Sequence, residues 1–90
     1  MSHDISLVWD RIKNHENKNF KTKTGLDFSY SVNGKVLVTT RTDFNISISE
    51  FKKTLERVPL EGPGELSSDV HGYSYVWAIL HDPRISNNEW

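Results

Sequence analysis

Apolar residues near the start of the chain fall at Ile5, Val8, Trp9 and Ile12, the i, i+3, i+4, i+7 spacing that lines one stripe of a helix. Ser2 or Asp4 is available as the N-cap, so the pattern predicts a helix from about Asp4 to Glu16. The polar run Asn14 to Asn19 has no period and reads as the exit loop.

The period then becomes two. Alternating runs at Asn19–Thr22, Leu26–Ser31 and Lys35–Arg41 are separated by Lys23-Thr24-Gly25 and Val32-Asn33-Gly34. A two-residue turn at Asn33-Gly34 would set Tyr30 opposite Leu37 and leave Val36 and Val38 on a face with Ser29 and Ser31. A three-residue loop ending in a left-handed glycine instead gathers Leu26, Phe28, Tyr30, Val36 and Val38 on one face. The same loop at Lys23-Thr24-Gly25 pairs Phe20 with Phe28. The expectation is a three-stranded antiparallel meander whose opposite face shows Lys21, Asp27, Ser29, Ser31, Lys35, Leu37, Thr39 and Arg41.

Helical spacing returns at Ile46. Ser47 and Glu50 have the spacing of a capping box, and Ile46 and Phe51 that of a hydrophobic staple. The stripe Ile48, Phe51, Leu55 and Val58 follows, and Pro59 ends the helix. Leu66 and Val70 are placed to pin a short turn. Tyr73–Leu80 is apolar almost all round, with Ser74 as a candidate cap and Pro83 as its stop. Residues 85–90 read as a tail that frays. The order α-β-β-β-α-α predicts one α+β domain over 1–90, with three helices packed on one face of the meander.

Composition supports a single core and narrows the chemistry. The chain has 90 residues, 36% of them hydrophobic, enough for one core without a metal or disulfide. It has no cysteine, which excludes disulfides, a thiolate nucleophile and cysteine-ligated zinc, and makes the cytoplasm the expected compartment. The longest apolar stretch, Val76–Leu80, is far short of a membrane span, and no export signal opens the sequence, so no membrane partner is expected.

Of the four histidines, none is spaced for a metal, and His3-Asp4 and His81-Asp82 lack further ligands at phosphohydrolase spacing. His81 is expected to serve the C-terminal carbonyls of its helix. Gly62-Pro63-Gly64 is not followed by Lys-Ser/Thr as in a phosphate loop, and Glu61 and Glu65 have no evident apolar pocket to split their pKa values. These absences predict no catalytic residues, metal, cofactor or small-molecule substrate, and hence a non-enzymatic binding or adaptor module.

Charge points to a partner. The net charge is only −1, but residues 11–41 carry seven Lys or Arg against two carboxylates, a balance of +5, whereas residues 42–90 carry four against eight, a balance of −4. Lys18, Lys21, Lys23, Lys35 and Arg41 are the candidate nucleic-acid contacts, with Ser29, Ser31 and Thr39 as sequence-blind phosphate donors. No aromatic is expected on that face to stack a base, which favours duplex backbone over single strands. A solvated face whose lysines discourage edge pairing accounts for the same residues. A second candidate is Tyr73 with Trp77, one helical turn apart, as anchors for a protein partner or homodimer, unless the neighbouring helices enclose both rings.

Overall fold

A computed structural model describes residues 4–41 and 45–90. Ser2 and His3, named above as a cap and as half of a His-Asp pair, lie outside them. The elements in chain order are α1 (Ile5–Asn14), β1 (Phe20–Lys21), β2 (Asp27–Phe28), β3 (Tyr30–Asn33), β4 (Val36–Thr39), β5 (Asn45–Ser47), α2 (Ile48–Leu55), a 3₁₀ turn at Pro63–Leu66, α3 (Tyr73–Leu80) and α4 (Pro83–Ser86). The fold is α+β: an N-terminal helix, antiparallel strands, then helices packed together.

In α1 the Asp4 carboxylate accepts from the Ser6 N–H at 2.9 Å, satisfying one of the donors a helix start leaves open, and Val8, Trp9 and Ile12 are buried as their spacing requires. Trp9 reaches the strands by donating its indole N–H to Gly34 O at 3.0 Å.

The strands depart from the predicted meander in membership and register. β1 and β2 form a separate two-stranded ladder, and the three-stranded sheet runs β3-β4-β5. In the first ladder Phe20 pairs with Phe28, and Gly25 takes φ +90° at the end of the three-residue loop, as the apolar pattern indicated. The β3–β4 hairpin differs. Tyr30 pairs with Thr39 and Val32 with Leu37, so its loop is Gly34-Lys35, two residues, with Gly34 at φ +64° in the first position, where a type II′ turn has its glycine. This register turns Leu37 and Thr39 to the core, fully and almost fully buried, and leaves Val36 and Val38 half-buried on the other face. Thr39 is tolerated there because its hydroxyl accepts from the Arg41 N–H at 3.2 Å. β5 extends the sheet by pairing Ile46 with Leu37 on the core face.

Ser47 is the N-cap of α2 but its hydroxyl caps no backbone N–H; it meets the Ser49 hydroxyl at 2.6 Å instead, so the capping box is not made. Glu50 is drawn away to Lys53, at 3.0 Å, and to the His71 N–H, at 3.3 Å. α2 ends at Leu55, short of Pro59, and buries Phe51, Thr54 and Leu55. Leu66 and Val70 are both buried around the 3₁₀ turn. α3 covers the predicted span, with Gly72 rather than Ser74 at its N-cap. Among the described residues no helix is long and apolar enough to cross a membrane.

Of residues 85–90, read from the sequence as a tail, Ile85 and Ser86 are buried, Trp90 is half-buried and Asn87, Asn88 and Glu89 are exposed. The Asp82 side chain caps α4 by accepting from the Arg84 N–H, and Ile85 is fully buried in the common core. Trp90 is half-buried against that core and donates its indole N–H to Leu80 O at 2.8 Å. Arg11 holds Glu89 through two hydrogen bonds, at 2.6 and 2.8 Å, and also donates to Ile85 O. These partners lie far back in the sequence, which is why local polarity hides them.

Candidate functional site

α1 ends in a turn that builds one wall of an open cleft. Asn17 adopts the left-handed region at φ +64°, which asparagine tolerates better than most residues, and gives its N–H to Tyr30 O at 2.9 Å. Glu16 accepts from the Val32 N–H, so the outer edge of β3 is occupied by the α1 exit rather than left open. The opposite wall comes from the break between β2 and β3, where Ser29 and Thr40 exchange two bonds: Thr40 N–H to Ser29 O at 2.9 Å and Ser29 N–H to Thr40 Oγ1 at 3.1 Å.

Between these walls lies a space of about 430 Å³, lined chiefly by Asn17, Asn19, Ser29, Thr40 and Arg41, with Asp27 as the carboxylate among its lining residues. Arg41 donates through Nε to Asp27 O at 2.8 Å, and Lys21 Nζ stands 3.9 Å from Asp27 Oδ1. Lys18 is exposed between the two lining asparagines. Of the five predicted cations Arg41 lines this cleft, Lys21 approaches its rim through Asp27, and Lys18 is an exposed neighbour in sequence of the two lining asparagines.

The other two are elsewhere. Lys35 sits in the hairpin loop at the far end of β4 from Arg41; the four residues of that strand put roughly 13 Å between them. It lines a different hollow, with Trp9 and Lys13. Lys23 lies over the Trp77 ring, 5.7 Å from its centroid, and donates to Glu61 O at 2.5 Å. Of the predicted phosphate donors, Ser29 lines the cleft, Ser31 is exposed and Thr39 is buried. The five cations do not share a sheet face, because Lys21 belongs to the separate ladder and Lys35 to a turn.

Residues missed by the sequence reading are Asn17, Asn19 and Thr40, which carry no motif, and Arg84. Arg84 stacks 4.0 Å over Phe20 and donates to Asn19 O at 2.8 Å behind the cleft. Asp82 holds it through both carboxylate oxygens, at 2.9 Å each. Burial pushes the Asp82 carboxyl up, but the bonds from Arg84 outweigh it and hold the group below its ordinary value. Arg84 thus supports the Asn19 wall rather than offering a contact of its own.

The aromatic candidates separate in a similar way. Trp77 is half-buried, gives its indole N–H to Leu60 O at 3.1 Å and stacks on His81 with centroids 4.7 Å apart. It fastens its own chain. Tyr73 is half-buried beside a second hollow of about 310 Å³ that Tyr75 also lines.

His81 does serve its helix end, donating from Nδ1 to Trp77 O at 2.9 Å. Among the described residues no group of three or more His, Asp or Glu is placed to hold a metal ion. Family models, curated proteins and solved structures were all compared with the chain, and no significant match was found.

Proposed function

We propose that this chain is a non-enzymatic, cytoplasmic binding module that contacts the backbone of duplex nucleic acid through Lys18, Lys21 and Arg41. The observation that carries the reading is an open cleft lined by Arg41 and mostly by amide and hydroxyl side chains, with Lys21 at its rim beside Asp27 and Lys18 exposed between the lining Asn17 and Asn19 in sequence. Phosphate oxygens are bound by such a mixture of cations and neutral donors, without base selection. Phe28, the aromatic in the cleft wall, is buried and already packed edge-on against Tyr75, so base stacking is not part of the proposal.

Three phosphate contacts give a slope of about −2.7 in log K against log salt, or about a 40-fold loss of affinity between 50 and 200 mM salt. Fluorescence anisotropy with a labelled mixed-sequence duplex measures it. Arg41→Ala is expected to reduce the slope by about 0.9 and weaken binding to all sequences alike. Lys35→Ala, at the far end of β4, leaves the slope unchanged. Absence of binding at low salt, or an equal effect of the two substitutions, overturns the proposal.

A second reading, a protein-interaction or homodimer surface, is favoured by one grouping. Leu26, 42% exposed, borders a hollow of about 120 Å³ with Pro63, Ser74 and Tyr75, near Tyr73. In this reading the anchors are Tyr73 and Leu26, with Trp77 retained as an internal fastener. Concentration-dependent mass in sedimentation, insensitive to salt and abolished by Leu26→Ser, is its signature.

A further inference from the structure

The segment between α2 and the 3₁₀ turn crosses α3 as a strap, and both backbone groups of Leu60 are held by side chains of that helix and its C-cap residue. Trp77 Nε1 donates to Leu60 O at 3.1 Å, and the Leu60 N–H donates to His81 Nε2 at 3.0 Å. The rings that do this are stacked, 4.7 Å apart and 16° from parallel. Next along the strap, Glu61 O accepts from Lys23 Nζ, whose ammonium lies over the Trp77 ring.

His81's tautomer follows from its partners. Trp77 O can only accept, so Nδ1 carries the proton, and Nε2 must present its lone pair to the Leu60 N–H. The geometry therefore requires neutral imidazole. We propose that His81 is the pin of a pH-released latch: neutral, it holds the strap at Leu60 against α3, and on protonation it releases it.

Protonation turns Nε2 from acceptor to donor. Two N–H groups then face each other where one bond had been, and Leu60 loses its partner. The new charge arises against an indole already covered by the Lys23 ammonium. Around the latch, the strap supplies Glu61, whose N–H is taken by Glu65 of the 3₁₀ turn, and α4 and its N-cap supply the mutually paired Arg84 and Asp82. Among the described residues no carboxylate bonds to the ring to stabilise an imidazolium. Burial accordingly lowers the His81 pKa, against the raising effect of its bond to Trp77 O.

The sign follows from linkage. With a folded-state pKa below the open-state value near 6.5, the latch is fully closed above that value. It weakens as pH falls toward the depressed pKa, the open-to-closed ratio rising by up to tenfold per pH unit.

The test is an NMR titration of the full chain from pH 8 to 5, following the His81 ring nitrogens, the Leu60 amide and the Trp77 indole N–H. The expected result is an Nδ1-protonated ring at pH 8, a His81 midpoint below 6.5, and Leu60 and Trp77 signals moving with that midpoint while the Ile12 and Phe51 amides stay in place. His81→Leu should show Leu60 in its open position at pH 8 and remove the pH dependence. A His81 midpoint at or above 6.5, or Leu60 and Trp77 signals that do not follow it, overturns the latch. If His81→Leu does not fold, the titration of the unaltered chain decides alone.

Discussion

Ile85→Ala is expected to lower stability by about 2–5 kcal/mol, as truncation of a fully buried aliphatic side chain does when its surroundings cannot collapse. For a chain of 90 residues this is a fall in Tm of roughly 10 °C or more. The site is braced on several sides: Arg11 holds Ile85 O, Arg84 bridges from α4 to Asn19 O, and Trp90 is fixed to Leu80 O. Collapse into the vacated space would require breaking some of these. Thermal unfolding followed by circular dichroism checks it. A change within about 0.5 kcal/mol, as for exposed positions, would mean that the C-terminal residues do not belong to the core.

A still larger loss, about 3–5 kcal/mol, is expected for Phe51→Ala. Phe51 is fully buried and meets Trp9 edge-on, with ring centroids 5.3 Å apart and planes at 66°. Such aromatic pairs add about 0.5–1.5 kcal/mol beyond area burial. Against a total stability of about 5–14 kcal/mol for this length, the variant retains little margin. Chemical denaturation measures the loss, and Trp9 fluorescence should change in the folded variant. Phe51→Leu keeps most of the volume and should lose clearly less. Equal losses for the two would mean that the Trp9 contact and the cavity contribute little.

What could be read from the sequence follows the range of the interactions. The α1 stripe, the whole of α3 and the Phe20–Phe28 pairing depend on residues close in the chain, and the apolar pattern located them. The β3–β4 register was harder because Val36, Leu37 and Val38 are all apolar, so alternation has no polar marker. Placing Val36 and Val38 with Leu26, Phe28 and Tyr30 gathers apolar residues on one face by alternation alone, whereas the structure turns Leu37 and Thr39 inward. By spacing Ile46 is a staple beside α2, yet its place opposite Leu37 makes it part of a strand. Ile85 and Trp90 stand among polar neighbours, and nothing local shows that Arg11 and Leu80 receive that segment.

The candidate site was legible as a set of cations but not as a place. The cleft that Arg41 lines is built by the turn at Asn17 and the Ser29–Thr40 exchange, which are tertiary events. Lys23 and Lys35 look equivalent to Lys18, Lys21 and Arg41 in sequence and are separated by the hairpin and the strap. Likewise, Trp77 looks like a free aromatic until Leu60 is brought across it.

The clasp between Arg11 and Glu89 joins residues 78 positions apart. Contacts that span most of a chain come late in folding, because the loop they close costs entropy before anything rewards it. The β3–β4 hairpin closes a far shorter loop and can form first. The clasp is then absent from the rate-limiting step and acts on the way out of the native state rather than on the way in. Breaking it is expected to leave the folding rate nearly as it was and to speed unfolding by up to about fivefold, the reach of a partly exposed ion pair worth about 1 kcal/mol, so the clasp lengthens the time each molecule stays folded.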